Sequence, residues 1–188
     1  MNFFILSLTP QSDPNLLEQA ANLLTIGFRK HWPESWADSE SAMEEVEEMT
    51  VPERICRAAI DDETGKVFGW IGGIPEYDGK VWELHPLVVH PDHQRNGIGR
   101  ALVADFEAQV CARGGLTITL GTDDEDEMTS LAFANLYENT WDHIKNIRNL
   151  KGHPYEFYQK LGYAITGVVP DANGPGKPDI LMSKRMFK

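Results

Sequence analysis

A glycine-rich segment, QRNGIGR at residues 94–100, separates a long apolar stretch from a segment with helical periodicity. The stretch before it, KVWELHPLVV, predicts a strand that Pro86 interrupts, because proline cannot donate a ladder hydrogen bond. Apolar residues at every fourth position after it predict a helix ended by Gly114-Gly115: Ile98, Leu102, Phe106 and Val110. A strand, a tight turn and a helix in succession predict an α/β protein. The backbone N–H groups of such a turn suit a phosphate.

Two familiar phosphate-binding patterns do not fit this segment. The Walker A pattern needs Gly-Lys-Ser/Thr, whereas Arg100 and Ala101 follow Gly99. The dinucleotide pattern needs a third glycine where Leu102 stands. Taken alone, the two glycines are equally consistent with an ordinary tight turn.

The remaining pattern predicts one α/β domain over residues 1–188, with a mixed sheet and no repeats. We expect further strands in FFILSL, RICRAAID, KVFGWIGGIP, LTITL, AITGVV and DILMSKRM. We expect further helices at 15–30 after an Asp-Pro start, at 39–49 with a serine cap, over 131–149 and in HPYEFYQKLGY. The segment of about 128–150 is interpreted as a helical insertion.

The charge balance is acidic: 17 Lys and Arg against 29 Asp and Glu give a net charge of −12. This argues against a nucleic-acid partner and favours a cationic one, although the charge could equally serve solubility alone. The two cysteines, Cys56 and Cys111, have no metal-type spacing and are expected to be reduced thiols. No signal peptide or membrane span is indicated, so we expect a cytoplasmic protein without membrane or metal.

The loop residues resemble motif A of the GNAT N-acetyltransferases, Q/R-x-x-G-x-G/A between a strand and a helix. FYQKLGY resembles motif B of the same family, and the order of strands and helices agrees with it. The resemblance implies the GNAT fold, with a mixed central sheet splayed at the fourth strand and flanked by helices. It also implies that acetyl-CoA binds through its pyrophosphate to the motif A loop: Gln94, Arg95, Asn96, Gly97, Ile98, Gly99 and Arg100.

A narrower resemblance covers most of the chain. Segments such as EEVEEM, PERI, WELHPLVV, HPYEFYQKLGY and KPDI are similar to the aminoglycoside 6′-N-acetyltransferases of the small chromosomal type. This implies acetyl transfer to a primary amine of a polycationic aminoglycoside by direct attack in a ternary complex. Acetylation of a polyamine or basic peptide remains an alternative, as does an acyl-CoA-binding sensor without catalysis.

In the family, the strand that carries Pro86 accepts the pantetheine arm of the cofactor. The resemblance therefore assigns cofactor contacts to the backbone of Leu87, Val88 and Val89, with an N–H near Leu87 polarising the thioester carbonyl. An edge strand or a bulge without function would explain Pro86 as well.

Three residues are expected at the reaction itself. Glu83 and His85 lie two apart and should share one strand face, where Glu83 could bind the amine or take its proton and His85 could assist. Tyr158, in motif B, is the candidate acid for the leaving thiolate and a possible cofactor contact. A solvated strand face and an aromatic core are the competing interpretations.

Substrate contacts are expected at Trp32, Glu83, Asp123 and Asp179. Trp32 could stack on a sugar ring or pack beneath the first helix, and Asp123 follows a strand directly. The charge runs EEVEE and DDEDE could be solvated faces. We further expect a homodimer, with the 128–150 segment as a plausible contact.

Overall fold

Residues 2–187, the part of the chain that the computed structural model describes, contain both strands and helices. The strands there are β1 (Phe3–Ser7), β2 (Ile55–Asp61), β3 (Val67–Glu76), β4 (Val81–Val89), β5 (Thr117–Asp123), β6 (Ala164–Val169) and β7 (Asp179–Arg185). They follow the order β1-β2-β3-β4-β5-β7-β6 in a seven-stranded sheet. The helices are α1 (Pro14–Phe28), α2 (Ser39–Met49), α3 (Ile98–Ala112), α4 (Thr140–Lys145) and α5 (Tyr155–Lys160). The α/β prediction is confirmed.

The first two helices begin where the sequence predicts, but one cap differs. Asp13 caps α1 by accepting a hydrogen bond from the backbone N–H of Asn15, with Pro14 in the first turn. The serine cap predicted for α2 is wrong. Asp38 is extended and accepts from the N–H of Ser41 at 2.9 Å, whereas Ser39 is already helical.

The chain forms two compact units, residues 2–118 with 186–187, and Thr119–Arg185. In the first unit β1 to β4 pair antiparallel in sequence order. One face of these strands packs on α1 and α2 through a buried cluster that includes Trp70, Val46 and Val88. The other packs on α3, whose Phe106 lies where any side chain at Gly73 would overlap its ring. The glycine therefore permits close helix–strand packing.

In the second unit β6 and β7 form an antiparallel pair. The helix predicted over 131–149 is wrong for most of its length, because only Thr140–Lys145 is helical. Phe133 and Asn139 have φ values of 57° and 52°, which a right-handed helix cannot contain. Before them, the buried carboxylate of Asp124 accepts hydrogen bonds from the N–H groups of Met128 and Thr129 and so fixes a turn.

Candidate active site

Strand β4 contains a bulge at its proline. Ile71 pairs with Leu87 and Gly73 pairs with Leu84, so β3 advances by two residues while β4 advances by three. The extra residue lies at His85-Pro86. A bulge is the usual way for a strand to contain proline without losing its neighbours.

The bulge reverses which face of the sheet each residue of β4 presents. Val88 pairs with Trp70 and Glu83 pairs with Ile74, and these two β3 residues lie on the same face because they are four apart. Ile74 and Val88 pack on the cluster formed by α1 and α2. Glu83 and Val88 therefore face these helices although they are five residues apart.

His85 lies beside helix α2 on that same face. Its Nε2 atom is 3.7 Å from Oε1 of Glu45, and its ring is 5.8 Å from that of Trp36. Trp36 donates from Nε1 to Oε2 of Glu45 at 3.4 Å. Glu83 is half-buried, and within residues 2–187 it has no hydrogen bond or ion pair. This face thus combines a carboxylate without a partner and an imidazole 43% exposed.

The loop before α3 presents backbone donors to an open side. Gly97 has a φ of 85° and a Cβ there would meet no atom within 4 Å. The first backbone bond of the helix runs from Ala101 N–H to Gly97 O, so the three N–H groups before it have no helical acceptor. Arg95 on this loop and Arg100 in the first turn of α3 are both exposed. These donors and charges suit a diphosphate.

Two side chains of the loop donate hydrogen bonds to nearby backbone carbonyl groups. Gln94 donates from Nε2 to the carbonyl oxygen of Val89 at 3.3 Å, and Asn96 donates to that of His93 at 3.2 Å. Their amides support the loop conformation.

The backbone of β4 beyond the bulge offers an N–H on the side away from β3. His90 N–H donates to Phe68 O at 2.8 Å, which sets the alternation of the antiparallel ladder. Val88 then points its backbone groups toward β3, and Leu87 and Val89 point theirs away. The N–H of Leu87 therefore points to the edge of β4 opposite β3.

Tyr158 lies in helix α5 among aromatic rings. Its ring centroid is 5.1 Å from that of Phe157 and 5.8 Å from that of Tyr163. Burial raises the pKa of Tyr158 far above its usual value, so the phenol is protonated at neutral pH. It can act as a proton donor.

Asp123 and Asp179 lie at neighbouring strand ends in the second unit. The backbone N–H of Asp124 donates to Pro178 O at 2.9 Å, which joins the end of β5 to the start of β7. Asp123 accepts a hydrogen bond from Asn173, and Asp179 lies against Gly121, where a Cβ would be 2.5 Å from its Oδ2.

Comparisons with known proteins agree with this geometry. The sequence profile described as the acetyltransferase (GNAT) family matches residues 17–136. The chain belongs to the GNAT family of acetyltransferases. The predicted GNAT fold, mixed and open, is confirmed. No curated protein matches this GNAT chain significantly.

Solved structures that resemble this GNAT protein cover almost its full length. An aminoglycoside 6′-N-acetyltransferase complexed with coenzyme A is 48% identical over 98% of both chains, with a TM-score of 0.90. The aminoglycoside 6′-N-acetyltransferase from Enterococcus faecium is also 48% identical over 98% of both chains, with a TM-score of 0.87. An aminoglycoside 6′-acetyltransferase type Ii is 43% identical over the same shares, with a TM-score of 0.74.

The site residues predicted for this GNAT protein fall into groups within each unit. Glu83 and His85 share a face, and the motif A loop opens helix α3. Trp32 follows α1 and packs on Phe28, with its Nε1 atom buried and without a hydrogen-bond partner within residues 2–187.

Glu45 lies in the charge run EEVEE and is not among the residues that the sequence predicts at the site. Only 19% of the Glu45 side chain is exposed, against 67% for Glu48. The helical period could have indicated that Glu45 is partly buried, since it lies beside the apolar stripe formed by Ala42, Val46 and Met49.

Within residues 2–187, no cluster of three or more His, Cys, Asp or Glu side chains has an arrangement that could hold a metal ion. No helix in that range is both long and apolar enough to cross a bilayer.

Proposed function

We propose that this protein transfers the acetyl group of acetyl-CoA to the 6′-amino group of an aminoglycoside. The observation that carries the proposal is the 48% identity, over 98% of both chains, to an aminoglycoside 6′-N-acetyltransferase complexed with coenzyme A. The acidic net charge of −12 suits a polycationic substrate, because it raises the local concentration of cations.

The cofactor is held by two backbone features of the first unit. The free N–H groups at the start of α3, with Arg95 and Arg100, bind its pyrophosphate. The outward-facing groups of Leu87 and Val89 bind its pantetheine arm. Gln94 and Asn96 maintain the loop that does the first of these tasks.

When bound, acetyl-CoA supplies the thioester that the amine attacks; the C–N bond forms as the C–S bond breaks. The N–H of Leu87 stabilises the negative charge on the carbonyl oxygen. Glu83 binds the substrate ammonium group and accepts the proton that the amine loses, directly or through water. Tyr158, whose buried phenol keeps its proton at neutral pH, donates that proton to the departing sulfur.

The two cysteines favour direct attack over an acyl-enzyme. Burial raises the pKa of Cys56 to about 12, so its thiolate is scarce at neutral pH. Cys111 lies in the last turn of α3, and at a rise of ~1.5 Å per residue it is ~20 Å from the loop that opens this helix.

Purified protein tests the proposal. Release of the CoA thiol from acetyl-CoA is measured with kanamycin A, spermidine or a lysine-rich peptide as acceptor, and NMR of the product locates the acetyl group. Turnover with kanamycin and a 6′-acetamide are expected. Preferred turnover of spermidine or the peptide would show that the acceptor is not an aminoglycoside. Binding of acetyl-CoA without turnover of any acceptor would indicate a sensor.

The proposal includes a homodimer in the cytoplasm. Four exposed apolar side chains lie close in sequence within residues 131–150: Phe133, Tyr137, Trp141 and Leu150. Both cysteines are free thiols, which suits a reducing compartment. Light scattering should give twice the mass of one chain, and Trp141→Ser should lower that mass if this segment forms the contact.

A further inference from the structure

Glu45 connects three parts of the first unit at the bulge of β4. Its Oε2 accepts from Trp36 Nε1 at 3.4 Å, and its Oε1 lies 3.7 Å from His85 Nε2. The carboxylate thus joins the segment before α2, helix α2 itself and strand β4. Within the described chain, it has no lysine or arginine partner.

The position of this carboxylate favours one of the two ring nitrogens of His85 as the site of the proton in the neutral imidazole. A lone pair on Nε2 would face the negative oxygen of Glu45, whereas an N–H there is attracted to it. The Nδ1 atom then keeps its lone pair, and within residues 2–187 it has no hydrogen-bond partner.

We propose that Glu45 is a positioning residue that holds His85 in the Nε2–H form, so that Nδ1 accepts a hydrogen bond from the substrate amine. The inference rests on the proposed function, because it assigns the direction of that hydrogen bond to the same site. Accepting an N–H of the amine directs the nitrogen lone pair away from the imidazole and leaves it free for attack. In this assignment Glu45 acts through His85 and not by binding the substrate or the cofactor itself.

A first experiment reads the tautomer without any substrate. Two-bond ¹H–¹⁵N correlation spectra distinguish Nε2–H from Nδ1–H, and the His85 signals are assigned by their loss in His85→Asn. The wild type should show Nε2–H. Glu45→Gln should shift the population toward Nδ1–H, since a glutamine amide can donate to Nε2. Identical His85 signals in the two proteins would overturn the inference, whatever the reaction proves to be.

A second experiment measures the effect on kanamycin acetylation. Glu45→Gln should lower kcat/KM for the amine about tenfold, equivalent to about 1.4 kcal/mol, and leave the KM for acetyl-CoA unchanged. Glu45→Asp keeps the charge and should recover part of the loss. Glu44→Gln removes the same charge from an exposed neighbour and is the matched control, expected to behave as wild type.

A double-mutant cycle shows whether Glu45 acts through His85. In a His85→Ala background, Glu45→Gln should cause less than a twofold further change in kcat/KM, because the group that it positions is gone. Full additivity would assign Glu45 a separate role, such as holding Trp36. Absence of turnover in the wild type would count against the proposed function, and the spectra would still decide the tautomer.

Discussion

The Nε2 atom of His153 lies 3.0 Å from the carbonyl oxygen of Asp123, at the end of strand β5. The Nδ1 atom of the same ring accepts a hydrogen bond from the backbone N–H of Tyr155. Nε2 therefore carries the proton in the neutral ring, and both nitrogens are engaged. Burial lowers the pKa of His153 below its ordinary value of 6.5.

The free energy of unfolding should decrease as the pH is lowered, because the unfolded state binds a proton at His153 more readily than the folded state does. Because the pKa of His153 is lower in the folded state, its contribution is complete above about pH 6.5 and is lost as the pH falls through the folded value. His153→Gln should flatten the pH dependence of the unfolding free energy between pH 7 and 5, measured by urea titration. His143→Gln, on a half-exposed histidine of α4, should leave the wild-type slope. Equal slopes in wild type and His153→Gln would contradict the prediction.

The motif A loop should tolerate bulk better than negative charge. Gly99 lies in the first turn of α3, where an aspartate is favourable for the helix itself, so Gly99→Asp should fold. Its carboxylate would repel the pyrophosphate and raise the KM for acetyl-CoA tenfold or more, equivalent to about 1.4 kcal/mol. Gly99→Asn has nearly the same size without the charge and should show a smaller rise. Unchanged KM values in both variants would remove this loop from the site.

Tyr158→Phe removes the proposed proton donor while keeping the ring that packs between Phe157 and Tyr163. We expect kcat to fall roughly 10²-fold, the usual contribution of a general acid, with little change in Tm. Tyr155→Phe is the control, since it deletes another buried phenol of the same helix. A change confined to the KM for acetyl-CoA would make Tyr158 a cofactor contact instead of an acid.

The sequence predicts a helix or strand correctly where the local signals for that element and its packing in the folded protein favour the same structure. The four-residue period of α3 and the Asp-Pro start of α1 are confirmed, because the same residues form the helix and bury its apolar face. The helix prediction for 131–149 was wrong. The spacing of apolar residues does not reveal left-handed backbone positions such as Asn139, nor a turn fixed by a buried carboxylate such as that of Asp124.

The candidate site shows the same division. Pro86 left a splayed strand, an edge strand and a bulge all open, and the reversal of faces at the bulge follows only from the register of β3 against β4. The charge-run interpretation fits Glu44, Glu47 and Glu48, which are exposed, and fails for Glu45. A helix has only about 100° of rotation between neighbours, so one member of an acidic run can point at a site while the next points at solvent.

Glu83 gives the sharpest test of the active-site face. The bulge directs it to the same side as Val88, it is half-buried, and within residues 2–187 it has no partner, so its charge is available to an ammonium group. If Glu83 only binds substrate, Glu83→Gln should raise the KM for kanamycin and leave kcat and the pH–rate profile nearly intact. If it is the base, kcat should fall and the acidic limb of the profile should move or vanish.

We expect a mixed result weighted toward binding, because an amine that is partly deprotonated near neutral pH needs little help from a base. The KM for kanamycin should therefore rise about tenfold in Glu83→Gln, and kcat should fall less. Glu76→Gln removes an exposed carboxylate from the end of the neighbouring strand and controls for the loss of net charge. Steady-state kinetics between pH 5.5 and 9 separate the two roles. Wild-type kinetics at every pH would refute both roles, and Asp123, whose carboxylate Asn173 already contacts, would become the candidate base.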